Sequence, residues 1–148
     1  LKNQYQLPCN IAQTLNLIGD RWSLLILHRL LMGCGTYKEL QESLEGIPTN
    51  LLSERLKTLE GDGLLQSRLY QEHPPRYQYE LTPPGKDLSD VFNSLILWGE
   101  KHLHTCYKQL VHQPCGHRVV AQYYCAHCGK AVSAKDLALQ EPPAEQHE

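Results

Sequence analysis

At 148 residues, 41% of them hydrophobic, the chain can bury one core and carry a small appendage. No apolar run approaches the ~18 residues of a membrane span; the longest, Leu24 to Met32, is interrupted by His28 and Arg29. A formal net charge of −2 excludes indiscriminate, charge-driven binding to nucleic acid but leaves room for a local basic surface. The first residues lack the basic-then-apolar profile of a secretory signal, so a soluble, cytoplasmic protein is expected.

In chain order, Asn10 is placed to cap a first helix that carries Ile11, Leu15 and Ile18 and ends near Gly19-Asp20. "RWSLLILHRLLMG" reads as a second, apolar-rich helix stopped by Gly33-Cys34-Gly35. Thr36 is a plausible cap for a third, "YKELQESL", with Tyr37, Leu40 and Leu44 on its inner face. Only Glu45, Gly46 and Ile47 separate it from a fourth, which has Pro48 near its first turn. Leu52, Leu56 and Leu59 fall on one side of that helix; Asn50, Ser53, Glu54 and Lys57 fall on the other, with Thr49 in the first turn. Two helices joined by a tight glycine-containing turn make a helix-turn-helix pattern.

Gly61-Asp62-Gly63 ends the fourth helix. "LLQSRLY" and "YQYEL" read as strands joined by the proline-rich turn "QEHPPR", so helices are followed by a hairpin in the order of a winged helix. Thr82-Pro83 then opens a long helix with Leu88, Val91, Phe92, Leu95, Trp98 and Leu103 on its apolar side. That stripe exceeds what so small a domain covers, and a partner subunit is the simplest cover. Trp22, Trp98, Phe92 and His28 read as core or interface residues.

From about Val111 the chain changes to short segments bearing Cys and His. His112-x-x-Cys115-Gly and Cys125-x-x-Cys128-Gly are two matching knuckles, each setting two ligands on a tight turn. Four such ligands fit tetrahedral zinc with no open position, so a structural zinc ribbon is expected, with His117 the main rival to His112. The apolar "RVVAQYYC" between them suits a returning strand. The expected organisation is a winged-helix DNA-binding and dimerisation domain over 1–110, a zinc-ribbon-like segment over 111–139 and a disordered tail over 140–148. The fold class is mainly α with a small β-hairpin (α+β).

"CNIAQTLNLIGDRWSLLILHRLLMG", "YKELQESLEGIPTNLLSERLKTLEGDGLL" and "PPRYQYELTPPG" together resemble the HxlR-type winged-helix transcriptional regulators, over roughly Cys9 to Glu100. The resemblance implies a homodimer that reads DNA with the helix from Thr49 to Glu60, with a wing at His73 to Arg76 beside the phosphates. At the start of the reading helix the family often has a hydroxyl residue followed by proline, where this chain has Pro48 and then Thr49.

A helix in the major groove needs short polar and long basic side chains on its outer face. Asn50 suits adenine, Lys57 guanine or phosphate, and Thr49 and Ser53 short contacts. Arg55 lies off that face, with a phosphate contact and an internal ion pair both open. Arg76 follows two stiffening prolines at the hairpin tip and suits phosphate or a narrow minor groove. Cys9 precedes the first helix, whose N-terminus favours a thiolate, and the resemblance implies oxidant or electrophile sensing at this place in some members.

Together with that resemblance, these residues imply a homodimeric regulator on an inverted-repeat DNA operator, responsive to an oxidant or a small-molecule effector. The alternatives are a metal-responsive regulator using the Cys/His cluster and a winged-helix module that binds protein. An enzyme is disfavoured: no paired carboxylates and no nucleophile with a base signature are present.

Overall fold

A computed structural model of the chain describes residues 4–143. Four helices come first: α1 (Asn10–Ile18), α2 (Ser23–Leu31), α3 (Tyr37–Ser43) and α4 (Thr49–Gly61). The antiparallel hairpin β1 (Leu65–Gln71) and β2 (Arg76–Leu81) follows, and then α5 (Pro83–Asp87) and α6 (Ser89–His102). Beyond them lie β3 (Tyr123–Cys125), β4 (Lys130–Val132) and a short 3₁₀ turn at Ala134–Asp136. This is a winged helix-turn-helix α+β fold.

The chain divides into two compact units, Leu1–Leu95 and Ile96–Glu148. The division falls inside α6, well before residue 110, because the first part of α6 still packs on the helical core through buried Phe92. The tail expected over 140–148 is described only as far as residue 143, exposed and without regular structure; its remainder lies outside the described residues.

The core of the first unit matches the periodicity. Leu52, Leu56 and Leu59 of α4 pack with Leu40 of α3, Ile26 and Leu27 of α2, and Leu65 and Leu81 of the hairpin. Thr36 caps α3 through a reciprocal capping box: its hydroxyl accepts from the Glu39 amide, and the Glu39 carboxylate accepts from the Thr36 amide at 2.9 Å.

Two local expectations need correction, at α1 and at the helix opening at Thr82-Pro83, while the start of α4 is as expected. Cys9, not Asn10, occupies the N-cap of α1, and among the described residues no side chain caps that helix. At α4 the N-cap is Pro48, which has no side chain able to cap, so Thr49 begins the helix itself. The helix opening at Thr82-Pro83 is interrupted: α5 is one capped turn, and the Leu88 amide bonds back to the Gly85 carbonyl three residues earlier before α6 starts. Gly85 is buried against the Leu64 carbonyl, an approach that a Cβ would block, and this docks α5 on the start of the wing.

Candidate nucleic-acid interface

The helix α4 presents Thr49, Asn50, Ser53 and Lys57 to solvent, opposite three leucines that are essentially fully buried. Tyr37 of α3 fixes the start of that helix. Its hydroxyl donates to the Thr49 carbonyl at 2.8 Å and accepts from the Ser53 hydroxyl at 3.4 Å. At the other end, the Glu60 carboxylate accepts from the Ser67 amide at 2.7 Å and from its hydroxyl at 2.8 Å, tying α4 to β1. Both ends of the helix are therefore anchored while its outer face stays free.

Arg55 does not join that face. Its side chain is only 14% exposed and turns inward, with Nε 3.5 Å from Asp20 Oδ1 and a second guanidinium nitrogen 3.9 Å from Glu54. Of the two readings open for Arg55, the geometry is that of the internal ion pair, and the side chain does not lie on the face that would meet phosphate. Asp20 also accepts from the Trp22 and Ser23 amides, at 3.0 and 3.1 Å, and from the Ser23 hydroxyl. Burial pushes its carboxyl up, but the Ser23 hydroxyl, the Trp22 amide and Arg55 outweigh that and hold it below its ordinary value.

On the wing, Arg76 and His73 are both exposed, and the His73 carbonyl accepts from the Gln71 side-chain amide at 3.1 Å. Arg76, Pro75, Tyr77 and Tyr70 form one wall of a cleft whose other wall is Thr36, Tyr37 and Lys38 at the start of α3. A second concavity, between α4 and the wing, holds Ser53, Lys57, Ser67 and Tyr77. The hairpin thus brings Arg76 to the same side as the outer face of α4, together with Lys38, which the sequence reading missed. The signal was faint, since Lys38 stands on a helix read only for its apolar face.

Cys9 is exposed, and the segment before it is pinned to α1. The Asn16 amide group exchanges hydrogen bonds with the Tyr5 backbone at 2.8 and 3.0 Å, and Gln13 donates to the Leu7 carbonyl at 2.8 Å. Apolar Ile11 and Leu15 on α1 are exposed.

In the second unit, His112 and Cys115 lie on one turn, with Nδ1 3.3 Å from Sγ; Cys125 and Cys128 lie on another, at the β3–β4 hairpin. The expected four-ligand site is not assembled. Among the described residues no three His, Cys, Asp or Glu side chains are grouped to hold a metal ion. The returning strand is also shorter than "RVVAQYYC": one bridge joins Val111 to Arg118, and β3 begins only at Tyr123.

The profile of the HxlR-like helix-turn-helix family matches residues 17–107, most of the chain. The chain belongs to that family. It is 33% identical over 137 residues to an uncharacterised helix-turn-helix transcriptional regulator, Rv3095 of Mycobacterium tuberculosis, covering 90% of this chain and 86% of that protein. Among solved structures, PA1607, described as a candidate transcription factor, superposes with a TM-score of 0.76 at 28% identity, over 93% of this chain and 97% of its own. The redox regulator HypR in its oxidised form superposes with a TM-score of 0.60 at 27% identity, over 66% of this chain and all of its own. The chain is therefore a transcriptional regulator of the helix-turn-helix type and not an enzyme. Among the described residues no helix is long and apolar enough to cross a membrane.

Proposed function

We propose that this family member is a homodimer that binds an inverted-repeat operator, each subunit laying α4 in the major groove and its wing against the adjacent backbone. The observation that carries the reading is the free outer face of α4. Thr49, Asn50, Ser53 and Lys57 are exposed on a helix anchored at both ends, so they meet base edges without first being ordered. Arg76 and His73 at the wing, with Lys38 across the cleft, supply phosphate contacts. The dimer is supported by the apolar side of α6, where Leu95 and Trp98 are 53% and 60% exposed.

A second element of the reading is a thiol switch at Cys9, supported by its exposure at the N-cap of α1 and by the likeness to a redox regulator. A hydroperoxide takes the thiol to a sulfenic acid and is itself reduced to the alcohol, which changes the polarity of the surface around Ile11.

The test is a fluorescence-anisotropy titration of the reduced protein into the duplex upstream of its own gene, at two salt concentrations, with an unrelated duplex as control. Selective binding that weakens with salt is expected. Absence of salt-sensitive binding to either duplex overturns the reading in favour of a protein partner. Cys9→Ser should bind equally well but lose the response to peroxide; an unchanged response removes the switch.

A further inference from the structure

The segment from residue 101 to 143 contains no buried residue, yet it forms ordered turns and a β-hairpin. Val120 and Tyr124 are 86% and 67% exposed, and every cysteine is a free thiol. A stretch this small with no buried residue is not held by apolar burial, and scaffolds of this size ordinarily add a metal or disulfides.

The two turns share one design. In the first, the Cys115 and Gly116 amides both donate to the His112 carbonyl, at 3.2 and 2.7 Å, and Gly116 takes a left-handed φ of +70°. In the second, the Gly129 amide donates to the Cys125 carbonyl at 2.9 Å with a φ of +65°, and the Cys128 amide lies 3.5 Å from Cys125 Sγ. Each turn therefore carries a donor, a second donor three positions on, and then a glycine that bends the backbone around the pair. An amide aimed at sulfur suits a thiolate, and Nδ1 of His112 lies 3.3 Å from Cys115 Sγ, which places both donor atoms at one end of the turn.

We propose that a single Zn²⁺ joins the two turns, held by His112, Cys115, Cys125 and Cys128. Three soft thiolates and an imidazole are a tetrahedral zinc set with no open position, which makes the ion structural. His117 serves the first turn through its carbonyl, which accepts from the His112 amide at 2.9 Å, while the His112 imidazole stands beside Cys115. Among the described residues no three of these side chains are grouped, so binding one ion requires the two turns to come together. On binding, the thiols release their protons to solvent and the ion takes four protein donor atoms in place of water.

The test uses the full-length reduced chain, stripped with chelator and titrated with Co²⁺ as the spectroscopic probe. Thiolate-to-metal charge transfer and the intense visible bands of a tetrahedral site should saturate at one equivalent per chain and be bleached by Zn²⁺. Cys115→Ser and Cys128→Ser should each abolish those bands, with far-ultraviolet circular dichroism and DNA anisotropy reporting that the helical unit stays folded. A wild-type chain without a tetrahedral spectrum overturns the site, as does a spectrum unchanged in both variants. Loss of the bands in His117→Ala but not His112→Ala overturns the assignment of His112.

Discussion

Arg55 of α4 reaches inward to Asp20, at 3.5 Å, and the same carboxylate accepts the backbone amides that open α2. One half-buried acid thus ties the reading helix to the start of α2. Among the described residues Arg55 Nε and Nη1 have no hydrogen-bond partner and are sealed from solvent, so the guanidinium is compensated by Asp20, with Glu54 at 3.9 Å.

Asp20→Asn should therefore destabilise the fold by about 2–3 kcal/mol at pH 7, since it strands a buried charge. The Asp20 carboxyl is held below its ordinary 3.8. Its stabilisation is fully present above that value and is lost as pH falls through the lower folded value. Urea denaturation at neutral pH and at progressively lower pH should show the wild type losing this increment in acid, and Asp20→Asn lacking it throughout.

Tyr37→Phe removes the hydroxyl that holds the Thr49 carbonyl and Ser53. Because Tyr37 is only half-buried, the stability cost should be small, about 1 kcal/mol. Specific affinity should fall more than affinity for unrelated DNA, because the start of α4 is loosened while the charges remain. Equal losses on both duplexes would show that the hydroxyl does not position the helix.

Charge and base contacts are separable by salt. Lys57→Ala and Arg76→Ala should each lower the slope of log affinity against log salt by about one. Asn50→Ala should leave the slope unchanged and reduce discrimination between operator and control by about 1–3 kcal/mol. Arg55→Met, whose side chain already faces inward, should leave the slope unchanged.

The exposed stripe on α6 makes a prediction about assembly. Leu95→Glu and Trp98→Glu should raise the dimer dissociation constant at least tenfold, about 1.4 kcal/mol, as read by sedimentation equilibrium. The helical content of the dilute monomer should not change, since neither side chain is part of the buried core.

The cap of α3 offers an internal control on the helix-turn-helix. Thr36→Ala deletes one half of its capping box with Glu39 and should cost about 1 kcal/mol in thermal or urea unfolding. No change in salt slope should accompany it.

Local residue patterns specify the set of elements and the side each one buries. Leucines at helical spacing in α4, alternation in β2, and glycine and proline at the turns are local signals, and the physics of burial leaves them one solution. The family motifs follow from the same linked segments. Tertiary structure alone decided what the polar residues do. Arg55 and Lys57 are equally basic and two positions apart, yet one is buried against Asp20, thirty-five residues earlier, and the other faces solvent. The two Cys/His turns are likewise legible one at a time, since each forms within a few residues. Whether they stand together or apart depends on a hairpin placement that no local spacing encodes. A charge's partner is set by distance in space, and that is known only once the chain has closed on itself.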